Sequence, residues 1–160
     1  MIRRDTPVLR WLSMAAAFLF MVLPFPDWLS ALRPFLLALV VAYWVLETPQ
    51  RMGLGHVFLI GLVLDLASFS VLGEHALRLV LIAGVLHLMR SRFRFYPVWQ
   101  QSGFLMLMLY VDLAVLWLMH LSQGLPMVQA EVWGSPGLAF LIWPWLYMLL
   151  DNLRLQNRGR

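Results

Sequence analysis

Two aspartates lie inside long apolar stretches of this 160-residue chain, Asp65 in Leu54–Leu72 and Asp112 in Trp99–Leu121, and Arg78 enters a third, Glu74–Met89. A charge at the centre of a bilayer costs about 2.5–3.5 kcal/mol on insertion scales, so such residues turn toward a bundle interior, a partner or water. At about 1.5 Å per helical residue, Asp65 and Asp112 sit roughly 10 and 13 Å from one shared end of their helices, and Arg78 about 6 Å from it. Two carboxylates at matched depth either carry a proton or cation, or lock helices to one another or to a partner helix. Companions for a proton path are sparse: His56, His87 and His120 lie near stretch ends and His75 in a turn. Helix locking is therefore the preferred chemistry. Arg78 can reach Asp65 across the turn at Gly73; alternatively it extends to the headgroups, and Asp65 bonds to Ser68, a neighbouring helix or water.

Trp143 and Trp145 flank Pro144 deep in the last stretch. A proline there opens a backbone carbonyl and bends a helix, and the two indoles offer flat surfaces. The motif reads either as a packing kink or as a groove for another protein's transmembrane helix. Arg90, Arg92 and Arg94 form a basic cluster, expected to set topology and to touch anionic lipids, or else to dock a soluble protein. Catalytic patterns are missing: there is no HExxH, GxSxG, GxGxxG or phosphate-binding glycine loop. With no Cys and no Lys, thiolate, disulfide and Schiff-base chemistry are excluded as well. No catalytic residue, metal site or cofactor is expected.

The elements that must position these residues follow from composition. Hydrophobic residues make up 62% of the chain and charged residues 12%, too apolar a balance for a small soluble domain. Six apolar stretches, approximately 8–23, 29–46, 54–72, 74–89, 99–121 and 133–150, are separated by breaks carrying Pro24, Pro26, Pro34, Pro49, Gly73, Pro97 and Pro126. Leu, Val and Met fill them without strict alternation, which predicts helices rather than barrel strands. The first stretch follows Arg3, Arg4 and Arg10 in the manner of a signal peptide, but five more stretches follow, so it reads as a retained span.

All twelve basic residues are Arg. With both termini cytoplasmic, Arg3, Arg4, Arg10, Arg51, Arg90, Arg92, Arg94, Arg154, Arg158 and Arg160 fall on the inner side, leaving Arg33 and Arg78 outside that group. The expectation is an all-α integral membrane protein: a single polytopic domain over residues 1–160, folded as a six-transmembrane-helix bundle with short loops. A pI near 10.3 suggests nucleic acid, but a net charge of +4 with almost no soluble surface argues against it.

Read in order, several motifs resemble the MreD family of bacterial rod shape-determining proteins. They are Leu23-Pro24-Phe25-Pro26-Asp27 with Arg33-Pro34 and Tyr43-Trp44, then Gly61 with Leu64-Asp65-Leu66 and Leu72-Gly73. Trp99-Gln100-Gln101, Asp112 and Trp143-Pro144-Trp145 complete the set. The family pattern would place a basic residue soon after the glycine turn, where Glu74-His75 stand. The resemblance implies a non-enzymatic inner-membrane component of the elongation machinery. Such a protein binds MreC, is linked indirectly to MreB and the peptidoglycan synthases, and is similar in fold to the substrate-binding subunits of ECF-type transporters. A homodimer is open on this reading. The alternative, from another class, is a small-solute binding or transport module with a cavity near Asp65 and Asp112.

Overall fold

The apolar runs fold as helices in the computed structural model, which describes residues 7–23, 35–126 and 130–156. Among these residues there are six α-helices: α1 Pro7–Val22, α2 Leu36–Glu47, α3 Leu54–Ser68, α4 Glu74–Phe93, α5 Val98–Gln123 and α6 Ser135–Gln156, with a 3-10 turn at Ala130–Gly134 before α6. No strand occurs among the described residues. Two segments, Val98–Gln123 and Val132–Gln156, are long and apolar enough to cross a membrane, while α1, α2 and α3 are shorter apolar helices.

At the centre stands α2, in which every residue from Leu37 to Leu46 is buried. A helix that is apolar on all sides must be surrounded by protein, and α2 packs against α1, α4 and α6. Its polar atoms are met at the Glu47 end: the Trp44 indole N–H donates to Ser13 Oγ at 2.9 Å, and that hydroxyl donates to the Arg10 carbonyl at 2.9 Å. Helix α2 lies within the second apolar stretch, 29–46, and runs one residue past it; residues 29–34 of that stretch, with Arg33 and Pro34, and Pro24 and Pro26 before it, lie outside the described residues.

The tightest pairing is α3 against α4. A Cβ added at Gly61 would come within 2.3 Å of Ala76 Cα, so the crossing depends on a residue without a side chain. The hairpin is shorter than the sequence suggests. Instead of running on to Leu72, α3 stops at Ser68, because Phe69 adopts left-handed backbone (φ 52°) and Gly73 does so again (φ 96°). The intervening residues fold back over Asp65. Three other helices overrun the expected ends: α4 continues to Phe93, α5 to Gln123, and α6 passes through Pro144 to Gln156.

The surface carries many large apolar side chains, among them Phe69, Leu88 and Trp145. An exposed apolar surface on this scale is the mark of a lipid-facing or partner-facing bundle.

Candidate functional site: two polar clusters at opposite ends of the bundle

The first cluster gathers at the start of α4. A helix leaves its first N–H groups without intrahelical partners and carries a partial positive charge there. The Asp65 carboxylate, projecting from α3, fills that role. Oδ2 accepts from Gly73 N–H at 2.9 Å and Ala76 N–H at 3.3 Å, and Oδ1 from His75 N–H at 2.8 Å. Ser70 Oγ donates to Oδ1 at 3.0 Å, and His75 Nδ1 lies 2.9 Å from the same oxygen. Asp65 is thus a capping residue supplied by the preceding helix, fully buried and surrounded by donors.

Arg78 makes a different connection from the one the Gly73 turn suggests. Its Nε donates to Asp112 Oδ1 at 2.9 Å and its Nη2 to Oδ2 at 2.6 Å, a two-pronged pair joining α4 to α5. The Asp65–Arg78 pairing is therefore corrected: the backbone at 73–76 occupies Asp65, and Arg78, one turn further along α4, meets the carboxylate at its own depth. Asp65 does not bond Ser68 either, whose hydroxyl donates to the Leu64 carbonyl. The guanidinium also stacks over the Phe35 ring at 4.7 Å. Glu74 lies 4.0 Å from Arg78 and 3.6 Å from His120, extending the network to the far end of α5.

The two aspartates thus have separate partners. Asp112 and Arg78 border a cavity of about 120 Å³ with Phe35 and Ser135, whereas the Asp65 oxygens are directed into the α3–α4 turn.

The second cluster sits at the other end of α4. Arg90 Nε donates to the Leu46 carbonyl at 2.9 Å, meeting an acceptor in the last turn of α2. His87 Nε2 lies 2.8 Å from the Met52 carbonyl. Arg154 of α6 pairs with Glu47 of α2 and reaches Tyr43 Oη at 3.4 Å and Asp151 at 3.7 Å. Gln101 of α5 donates to the carbonyl of Phe93, the last residue of α4, at 3.4 Å and to the Tyr96 carbonyl just beyond it at 3.0 Å. Polar contacts thus join α2 to α4 and to α6 at this end. Among the described residues, no group of three or more His, Asp or Glu side chains is arranged to hold a metal.

The family model described as rod shape-determining protein MreD matches residues 2–153. The chain belongs to the MreD family. A curated relative, rod shape-determining protein MreD of Haemophilus influenzae, is 28% identical over 151 residues, covering 92% of this chain and 93% of that one. No solved structure matches significantly. This MreD-family chain is a membrane protein of rod-shape determination, in a family of shape-determining structural proteins.

Of the motifs that resembled MreD, those within the described residues are mostly the ones that hold the helices together. Gly61 allows the α3–α4 crossing, Asp65 and Gly73 build the turn, Gln101 meets the Phe93 carbonyl at the end of α4, and Asp112 holds Arg78. The place after the glycine turn, where a basic residue was expected, is occupied by His75, whose ring lies on Asp65.

Trp143, Pro144 and Trp145 do not form one groove. Residues two apart on a helix point to nearly opposite sides, and here Trp143 is fully buried while Trp145 is 77% exposed. Of the basic cluster, Arg90 and Arg94 line one cleft and Arg92 is not among its lining residues.

Sequence reading passed over Glu47, counted Arg154 only among the inner Arg, Tyr43 only within a motif and His75 only in the turn, and gave none of the four a contact. A usable signal existed for the first two: Glu47 and Arg154 each close a helix at the same boundary, where opposite charges have reason to meet.

Proposed function

We propose that this MreD-family chain is a six-span inner-membrane scaffold of the elongation complex, with both termini in the cytoplasm. It binds MreC and helps couple MreB filaments to peptidoglycan synthesis. Family membership over residues 2–153 carries this reading. The helices support it physically. Short connections leave little soluble surface, so partners meet the chain mainly through helix faces. The buried Asp65, Arg78, Asp112 and Arg154 are spent on joining helices, as a rigid platform requires. With the Glu47–Arg154 end inward, ten of the twelve Arg fall on the cytoplasmic side.

The face offered to the MreC helix is the exposed side of α6. Leu141, Trp145 and Met148, spaced by four and three residues, form one apolar stripe. Trp145 remains the anchor proposed there, while Trp143 supports the stripe from inside the bundle. Solute binding is the weaker reading, because the Asp65 carboxylate is filled by its own turn and Asp112 by Arg78.

Depletion of the protein in a rod-shaped host tests the function. Cells are expected to round up and to recover on re-expression; cells that stay rod-shaped would remove the reading.

A further inference from the structure

At the second end of the bundle, α4 finishes beside an open cleft of about 640 Å³ lined by His87, Arg90, Ser91, Arg94 and Phe95. We propose that this cleft is a binding site for the phosphate of an anionic phospholipid headgroup.

The lining residues bring two guanidinium groups, one hydroxyl and one imidazole to a single cavity, with no carboxylate among the described residues that line it. Arg90 and Arg94 lie one helical turn apart, so they share a face. Arg90 is held in place by its bond to the Leu46 carbonyl, which makes one side of the cleft preorganised. A helix C-terminus disfavours an anion by roughly half a unit charge, but the full positive charge of Arg94 alone outweighs it. A tetrahedral oxyanion suits such donors, because guanidinium groups give forked hydrogen bonds to phosphate.

The surroundings point to a lipid rather than a soluble phosphate. Phe95, which lines the cleft, is 88% exposed, and Trp99 on the next helix is 65% exposed. Exposed aromatic rings at a helix end mark headgroup depth, where the ring bodies meet the acyl boundary. Leu88, on the same last turns of α4, presents a further exposed apolar side chain. The ligand therefore needs both an anionic head and an apolar tail.

A positive-inside signal requires charge alone, and Arg92 would serve as well as Arg94. A built cleft distinguishes them, since Arg94 lines it and Arg92 does not. The inference rests on the preceding reading only in taking the chain to be membrane-embedded, and it does not depend on which leaflet the cleft faces.

Native mass spectrometry of the full chain, delipidated and then titrated with phosphatidylglycerol or phosphatidylethanolamine of identical acyl chains, tests it. Phosphatidylglycerol should be retained preferentially. Arg94→Gln should reduce that preference about fivefold, the scale for one cation beside an anionic surface, and Arg92→Gln should leave it nearly unchanged. Both side chains are exposed, so neither change threatens folding, and an unchanged elution profile with unchanged MreC recovery separates this outcome from the scaffold reading. Equal losses from the two variants, or no preference for the anionic lipid, would overturn the site. Displacement of the lipid by excess inorganic phosphate would reassign it to a soluble anion.

Discussion

Arg78 and Asp112 are expected to be costly to separate. Each is nearly buried, and the pair shares two hydrogen bonds. Breaking a buried ion pair from one side leaves a charge without compensation, at about 3–5 kcal/mol, whereas replacing both members with apolar groups is close to neutral. Arg78→Leu is therefore expected to lower stability in detergent by roughly that amount, and Arg78→Leu with Asp112→Leu to recover most of the loss, read from thermal unfolding of the purified protein. Recovery on adding Asp65→Leu to Arg78→Leu instead would restore the pairing that the Gly73 turn suggested. Asp65→Ala is expected to cost about 0.5–2 kcal/mol through the lost cap, and more if the N–H groups of residues 73–76 stay dry. Sequence reading expected Asp65 and Asp112 to turn inward, because an intramembrane charge without a partner is too expensive, but it did not mark Glu74 or Arg154, which are buried as well. It did not identify who pairs with whom. Backbone N–H groups at a helix start are invisible in a residue list, and in this chain they outcompete a guanidinium for Asp65.

The α3–α4 hairpin and α6 show where element-level reading succeeds and where it stops. Prolines and glycines marked the breaks, and the helices begin close to where the apolar runs begin, at Leu54, Glu74 and Val98. Helix ends were less legible: left-handed backbone at Phe69 ends α3 early, and polar residues such as Arg90 and Arg154 extend α4 and α6 because they bond back to α2. Gly61→Ala is expected to force the two helices apart at Ala76 and cost about 1–3 kcal/mol. Gly84→Ala, where an added Cβ meets nothing within 4 Å, is expected to be neutral or stabilising. Unfolding midpoints of the two variants check this; equal effects would mean that the crossing is not tight at Gly61. On α6, Trp143→Ala empties a fully buried site and should cost about 3–5 kcal/mol, while Trp145→Ala, on the exposed side, should leave stability nearly intact. Periodicity of two residues in a helix separates the faces, and that geometry was available in the sequence; the Pro144 between them drew attention to the kink instead.

At the scale of the whole molecule, α2 is a central post held at both ends. Phe35, just before it, lies beneath Arg78, and Glu47, its last residue, holds Arg154. A 12-residue helix covers only about 18 Å of a roughly 30 Å hydrocarbon layer, so its described part sits as a buried core around which the longer helices stand. Such an arrangement gives a stiff body with an apolar perimeter, suited to presenting helix faces to other membrane proteins. Reporter fusions after Arg94 and at Arg160 are expected to lie in the cytoplasm, and a periplasmic carboxyl terminus would break the six-span reading. Co-purification of MreC from gently solubilised membranes tests the scaffold most directly. MreC should be recovered with the wild-type chain and lost with Trp145→Ala in a variant that elutes and unfolds like wild type. A chain recovered intact without MreC would contradict the account.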